Sequence, residues 1–492
     1  MRRKRFSIVV PTRNRPHTLP HTVKTCLSQI GFDDYEIVIG DNSDGDETKS
    51  YIEALVANDP RGREKIRYQK RPQICSMSEN FDAAISQAEG EYIIVIGDDD
   101  GILPMALYEL DELAASTRAK IVKWRNGLYT WPSLNFHGQA DYLGFSLVRS
   151  RKTSSGAEQL KESLRTFQYD NLPLLYINAA IHADAVAAMR VAGGKLFPSR
   201  APDVYSGVVL SHIGGEFLDV TVSFTLAGLS GSSNGVSTAF GGVNATPRKD
   251  FERLNAEDGI RFHPHVPNIT LFPVVDFADA FYWAKARHFP GDHQFSLSRF
   301  DLMRACVERC DTDVDAVRRE LLRVCEDDPD LTRHVLELMA EPKEIAPAPR
   351  LKPALLGADG ANLHLETQEF GIKTIEDAVA FVHKVVWPGG APLRYDLEPH
   401  SDLLAERTRQ LKNVSELLED RTHQLGHVSE LLNDRTQQLE SMSGLLAERT
   451  ERLEALSELL IERTDRLQRL TDIVAARPSL PSTERNTPEG HA

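Results

Sequence analysis

The stretch EYIIVIGDDDGILP, residues 91–104, decides how this chain is read. Tyr92 to Ile96 is a short apolar run of the length of a buried strand, and it ends in three adjacent carboxylates, Asp98, Asp99 and Asp100, between Gly97 and Gly101. Like charges in a row repel one another, so the cluster is stable only in open water or around a cation. An isolated acidic triplet reads as a solvated turn. Here the strand before it, the flanking glycines and a second strand-ending acid, Asp41 in YEIVIGD, favour an oxygen-rich site for a hard divalent ion, Mn2+ or Mg2+.

Working outward, residues 6–125 alternate strand-like runs with amphipathic stretches. FSIVV, YEIVIG, KIRYQ, YIIVI and AKIVKW are separated by TLPHTVKTCLSQI, DETKSYIEALVAN, SENFDAAISQAEG and PMALYELDELAAS. Repeated βα alternation predicts an α/β fold with a mainly parallel, Rossmann-like sheet and helices on both faces. Ligands of such sheets bind at the carboxyl ends of the strands, which is where Asp41 and the triplet fall. Residues 126 to about 270 are mixed, and the pattern turns helical from SLSRFDLMRACVERC to HVLELMAE. EIAPAPRLKPALLGADG reads as a linker, with IEDAVAFVHKVV as a short helix beyond it.

The C-terminal part is a repeat: SDLLAERTRQLKNV, SELLEDRTHQLGHV, SELLNDRTQQLESM, SGLLAERTERLEAL and SELLIERTDRLQRL, five fourteen-residue units from Ser401 to Leu470. Fourteen residues are two heptads. With Leu404 and Leu411 at a, Arg407 and Val414 fall at d and Leu403 flanks them; in the alternative frame both leucines are at d and Thr408 is at a. Either frame predicts a coiled coil over residues 401–474, a rod of about 105 Å, through which the chain forms a homo-oligomer or docks on a partner. The tail, residues 475–492, has the composition of a disordered segment.

Composition narrows the class further. The formal net charge of −15 argues against binding nucleic acid or anionic membrane through bulk charge. Five cysteines (Cys26, Cys75, Cys306, Cys310 and Cys325), odd in number and without zinc-type spacing, suit a reducing cytoplasm. The opening MRRKRFSIVV reads as a first strand rather than a signal peptide, and no apolar run is long enough to span a bilayer. Neither G-x-x-x-x-G-K-[ST] nor a G-x-G-x-x-G after the first strand is present, which argues against a P-loop ATPase and a nicotinamide dehydrogenase.

SIVVPTRNRPHTLPHTVKTCLSQ, YEIVIGDNSDGDET and SENFDAAISQAEGEYIIVIGDDDGILP together resemble the successive blocks of the family-2 glycosyltransferases, inverting enzymes of GT-A fold. The resemblance covers residues 5 to 110 strongly and extends more weakly to about 240. It implies that Pro11, Thr12 and Arg13 wrap the nucleotide and that Asp41 contacts its base. Asn80 matches an asparagine of the helix before the metal strand. Asp98 and Asp100 frame the Asp-x-Asp motif that holds the metal, Asp98 and Asp99 lie against the donor diphosphate, and the ligand among the three acids stays open. Gly40 and Gly97 stand where acids are common in the family.

An inverting transfer also needs a base on the acceptor side, because a sugar hydroxyl is a poor nucleophile until its proton is taken. Asp203, in LFPSRAPDVYSG, resembles the family's catalytic aspartate, with Pro202 where many members have Glu; capping of the following helix is the structural alternative. Lesser candidates are Ser233 and Asn234 for the donor pocket, His263 and His265 for a metal, and Trp124, Tyr129 and Trp131 for stacking on an acceptor sugar. A glycine-rich turn, solvent-facing histidines and core packing are their respective structural readings.

The resulting expectation is a metal-dependent inverting glycosyltransferase that takes a nucleotide-sugar donor and a saccharide or glycoconjugate acceptor. It would be cytoplasmic, with peripheral contact at the inner membrane face left open, and would serve bacterial surface glycan or glycoconjugate assembly. Its parts would be a donor half (1–110), an acceptor half (111–270), a helical extension (271–342), a linker with a short helix (343–400), the coiled coil and the tail. The rivals are a catalytically inactive GT-A scaffold organised by its coiled coil and a nucleotidyltransferase.

Overall fold

The computed structural model describes residues 3–134, 138–190, 194–233, 245–269, 273–309, 314–340, 351–353, 356–358, 361–388 and 401–475, without the side chains of 245–248, 401–430 and 474. Asn234, Cys310 and the tail from 476 onward lie outside the described residues. The chain divides into two compact units, Met1–Lys412 and Asn413–Ala492.

The first unit opens with the expected alternation: β1 (Phe6–Thr12), α1 (Leu19–Leu27), β2 (Tyr35–Asp41), α2 (Glu47–Asn58), α3 (Pro60–Lys65), β3 (Ile66–Lys70), α4 (Met77–Ile85), β4 (Tyr92–Val95). Next come β5 (Gly101–Ile102), α5 (Ala106–Thr117), β6 (Ile121–Trp124), β7 (Gly127–Thr130), β8 (Tyr142–Ser146), β9 (Arg151–Ser155), α6 (Gly156–Thr166), β10 (Ala179–His182) and α7 (Ala183–Ala188). Then follow α8 (Pro202–Ile213), β11 (Glu216–Val220), β12 (Thr225–Leu229), α9 (Ala245–Glu257), α10 (Val274–His288), α11 (Arg299–Glu308), α12 (Val314–Val324) and α13 (Pro329–Ala340). The unit ends with β13 (Gly357–Ala358), β14 (Asn362–Glu366), α14 (Ile375–Val386) and the start of α15 (Ser401–Ala475).

Among the described residues, eight strands form the main sheet in the order β3-β2-β1-β4-β10-β6-β11-β9. β3, β2, β1 and β4 are parallel neighbours, whereas β10 runs antiparallel between β4 and β6. Every residue of β1 and β2 is buried, which follows from a parallel sheet covered on both faces and explains their mainly apolar runs, in which the buried Ser7 hydroxyl donates to Glu36 at 2.6 Å. The carboxyl ends of β1 and β2 lie level, because Thr12 pairs with Asp41; β4 ends opposite Val9, so that the residues after it bring Asp98 beside Thr12. Helix α4, capped by the Ser76 hydroxyl on the Glu79 N–H, packs on β1 and β2, while α8 packs against α6 and α10.

A second sheet, β13-β14-β8-β7-β12-β5, stands beside the acidic triplet through β5 and β12. The segment read as a linker contributes to it: β14 pairs antiparallel with β8 over Asn362–Glu366, and α14, closed by a Thr374/Asp377 capping box, packs on α1, β5 and β12. The short helix is therefore present, but in a segment folded onto the domain. A β-carbon on Gly101 would come within 2.6 Å of Val379, so α14 lies directly on the strand that follows the triplet.

In the second unit, α15 continues as one helix to Ala475. Leu432, Leu439, Leu446, Leu453, Leu460 and Leu467, seven residues apart, are each more than half exposed, as are Leu431, Leu445 and Leu459 beside them.

Candidate active site

The carboxyl ends of β1 and β4 open into a cavity of about 860 Å³. Pro11, Thr12, Arg13, Asn80, Asp98, Asp99, Asp100 and Asp203, eight of the nine residues expected to carry the chemistry, lie on its wall. Asp41 is the ninth. Its carboxylate is fully buried and accepts from the Tyr68 hydroxyl at 2.6 Å and the Ser43 N–H at 2.9 Å, so the wall at the end of β2 is made by Asn42 and Asp44 instead.

The three adjacent acids have three different environments. Asp98 accepts from the Thr12 hydroxyl at 2.7 Å and the Arg13 N–H at 3.2 Å on Oδ2, and its Oδ1 faces Arg15 Nε at 3.5 Å. Burial pushes its pKa up to about 6, against the pull of the Arg15 guanidinium. Asp99 presents Oδ2 to the hydroxyls of Ser230 at 2.7 Å and Ser233 at 2.5 Å, while its carbonyl accepts from Trp131 Nε1 at 3.0 Å.

Asp100, which the sequence reading placed among the metal ligands, is 1% exposed and accepts on both oxygens, from the Gly97 N–H at 2.6 Å and the Gly228 N–H at 2.7 Å, with the Tyr176 hydroxyl as a further donor. Burial, followed by the charge of Asp99, raises its pKa to about 8. Asp100 thus ties the end of β4 to β12. Of the three acids, Asp99 keeps one oxygen, Oδ1, without a donor or cation among the described residues.

Arg13 is equally committed to the protein. Its guanidinium donates to the Asn42 carbonyl at 2.8 Å and to Asp250 at 2.7 Å, with Asp44 at 3.3 Å, so it links the end of β1 to the turn after β2 and to α9. Asn80 donates to the Gly40 carbonyl at 3.1 Å and keeps the ends of β1 and β2 in register with α4.

Asp203 occupies the second position of α8, after Pro202 and beyond Ala201, which is the N-cap. It is therefore inside the first turn, where its carboxylate accepts backbone N–H groups, and its own carbonyl accepts from Ser206. Burial raises its pKa. Asp276, in the first turn of α10, lines the same cavity, and burial together with the negative charge of Asp203 pushes it up to about 7. Two carboxyls thus converge from two helix N-termini, with Arg200 beside them stacked on Phe262 at 4.2 Å and paired with Glu252 at 2.7 Å.

The lesser candidates divide. Ser233 reaches the triplet. Trp124 is fully buried and bonded to Thr225, and Tyr129 is fully buried, so both are core; Trp131 supports the Asp99 backbone. His263 stacks on Tyr282, and burial lowers its pKa to about 4; the cavity wall here is Phe262, with neither histidine on it. Arg15, Tyr176, Ser230 and Asp276 were not singled out from sequence. Arg15 stands within the quoted PTRNRP and could have been weighed there, but the others come from segments with no motif of their own.

Residues 7–191 match glycosyl transferase family 2. The matched segment runs from β1 to just beyond α7 and contains the whole acidic triplet. Over 112 residues, 22% of this chain and 34% of the relative, the sequence is 32% identical to a GalNAc(5)-diNAcBac-PP-undecaprenol beta-1,3-glucosyltransferase of Campylobacter jejuni. The chain thus spans about a third of that relative's length. Among solved structures, S. aureus TarS 1–349 in complex with UDP-GlcNAc is similar at 15% identity and a TM-score of 0.38, covering 68% of this chain and 90% of that one. A mannosyltransferase, PcManGT from Pyrobaculum calidifontis in complex with GDP-Man and Mn2+, is similar at 14% identity and a TM-score of 0.33, covering 69% and 86%. The α/β architecture is of the GT-A type expected from the sequence, with its parallel β3-β2-β1-β4 half and antiparallel β10.

Proposed function

We propose that the chain is an inverting glycosyltransferase that moves a sugar from a nucleoside-diphosphate donor to a hydroxyl acceptor in bacterial surface glycan or glycoconjugate assembly. The observation that carries this reading is the presence of Asp98, Asp99 and Asp203 on one cavity wall at the carboxyl ends of β1 and β4. The family match over residues 7–191 supports it.

Asp203 would take the proton of the acceptor hydroxyl as its oxygen attacks the anomeric carbon. The bond from that carbon to the diphosphate oxygen breaks on the opposite face, and the nucleoside diphosphate leaves. A base must be ionised to act, and a raised pKa brings Asp203 closer to the working pH, where proton transfer is most effective. Pro11, Thr12 and the Asn42–Asp44 turn would form the nucleotide side of the cleft, with Arg13 and Asn80 holding those strand ends together.

The donor set fits a hard divalent cation. Asp98 and Asp99 are adjacent carboxylates, 9% and 6% exposed; Asp98 Oδ1 faces Arg15, and Asp99 Oδ1 has no protein donor among the described residues. Among the described residues no three His, Cys, Asp or Glu side chains form a complete metal cage, and the rest of the shell of Mn2+ or Mg2+ commonly comes from phosphate and water. Such an ion would supply charge neutralisation for the departing diphosphate.

The exposed leucine seam of α15 supports self-association through residues 401–474. Among the described residues no helix is long and apolar enough to cross a membrane, and we place the protein in the cytoplasm, with contact at the inner membrane face open. Turnover or hydrolysis of UDP-, GDP-, dTDP- and CMP-sugars, with and without Mn2+, tests the reading. Cleavage of a diphosphate sugar that requires the ion and is lost in Asp203→Asn supports it; no nucleotide binding under any condition would leave the inactive scaffold.

A further inference from the structure

The turn after β12 reaches back over the triplet. The Ser230 carbonyl accepts from the Ser233 N–H at 3.0 Å, closing the turn, and the Ser230 N–H donates to Ser233 Oγ at 2.8 Å. That hydroxyl hydrogen is left to donate elsewhere, and it points to Asp99 Oδ2 at 2.5 Å; the Ser230 hydroxyl meets the same oxygen at 2.7 Å. One carboxylate oxygen is thus held by two hydroxyl donors, and among the described residues Oδ1 is left without a donor.

The backbone around the contact is fixed too. Trp131 Nε1 holds the Asp99 carbonyl, and a β-carbon on Gly228 would lie 1.7 Å from that carbonyl oxygen, so only glycine lets β12 pass this close. Arg15, which faces Asp98, also donates to the Ser232 carbonyl, joining the turn to the end of β1. Ser230 is 2% exposed. A buried hydroxyl pair on a single carboxylate oxygen has a directional consequence: it selects one rotamer of Asp99, a residue of the cavity wall, and leaves the other oxygen without a protein donor among the described residues.

We infer that Ser230 and Ser233 are positioning residues for the cation: they hold Asp99 so that Oδ1 faces the ion and the donor diphosphate. The inference rests on the proposed metal-dependent reading and adds the residues that aim its ligand. Loss of such outer hydrogen bonds typically weakens metal binding by about 10-fold or more.

The test uses the full-length chain with Mn2+ and UDP or GDP as probes. Nucleotide affinity is measured by calorimetry with and without Mn2+, and free Mn2+ by electron paramagnetic resonance. In the Ser230→Ala/Ser233→Ala variant, Mn2+-dependent nucleotide affinity should fall about 10-fold or more, with metal-free affinity and thermal midpoint held near wild type. Ser233→Thr, which keeps the hydroxyl at the half-buried position, should retain Mn2+ binding. Wild-type Mn2+ affinity in the double variant overturns the positioning role, and so does loss in Ser233→Thr equal to that in Ser233→Ala. If the unmodified protein binds neither nucleotide more tightly with Mn2+, the metal reading itself fails and takes the inference with it.

Discussion

The Tyr176 hydroxyl stands where a side chain at position 97 would have to go: a β-carbon on Gly97 would come within 2.7 Å of it and 2.8 Å of Asp100 Oδ2. This accounts for glycine at position 97. Gly97→Asp should therefore fail to improve the site and should cost about 1–3 kcal/mol of stability through overpacking. Urea unfolding of Gly97→Asp, alone and with Tyr176→Phe, checks it, with partial relief expected in the pair.

Asp99 and Asp100 should separate in their effects. Asp100→Ala leaves the Gly97 and Gly228 N–H groups without their acceptor in a closed site, at about 1–3 kcal/mol for each unsatisfied group, and should lower the thermal midpoint clearly. Asp99→Asn keeps an acceptor for the serines while removing the charge, so it should fold normally and lose Mn2+-dependent nucleotide binding. Calorimetry and thermal unfolding of both variants decide the point.

Asp203→Asn should lower turnover about a hundredfold or more with donor affinity nearly unchanged. Because burial raises the Asp203 pKa, the acidic limb of kcat/KM should lie above the ordinary carboxylate range, and activity should rise with pH through it. The residual activity of the variant should lack that limb. A pH–rate profile on a soluble acceptor measures both.

Stability should fall as pH rises across the same region. Asp276 and Asp279 have folded pKa values of about 7 and about 6, raised chiefly by burial from the ordinary 3.8, so the folded chain binds protons that the unfolded chain has already released. Their contribution is fully present below about 3.8 and is lost as pH rises through 6 and 7. Asp276→Asn should flatten the decline in thermal midpoint between pH 5 and 8; an unchanged slope would contradict the assignment.

The parallel half of the sheet was legible because strands buried on both faces are mainly apolar, which the IVV, IVI and YIIV runs of β1, β2 and β4 display. The triplet was legible as a cluster at a strand end, where the cavity lies, but the different surroundings of its three acids were not. What separates Asp98 and Asp99 from Asp100 is supplied by Gly228, Ser230 and Ser233, more than a hundred residues later, and by Tyr176 in a loop without a motif. The burial of Asp41 away from the cavity wall escaped the sequence for a similar reason: its partner Tyr68 is set by the pairing of β2 with β3, which a sequence window does not contain. The pairing of β14 with β8 escaped notice because five alternating residues in a proline- and alanine-rich context give a weak strand signal.

Truncation after residue 400 should reduce the particle mass seen by light scattering to that of one chain, and raised salt should weaken self-association of the full-length protein. Arg435, Arg449 and Arg463 recur every fourteen residues next to the leucines, so their ion pairs with a neighbouring helix would be screened. A monomeric full-length protein at micromolar concentration would leave α15 as a docking surface for a different partner.

The repetition of α15 carries a consequence for how two copies meet. A helix of the same sequence, slid along its neighbour by fourteen residues, about 21 Å, finds nearly the same leucines and the same arginines again. Registers separated by one repeat then differ mainly in how many units overlap, so affinity is graded by overlap length. Should α15 pair with a second copy as proposed, fully overlapped pairs would be favoured, and staggered ones would leave a free end on which a further chain could continue the row.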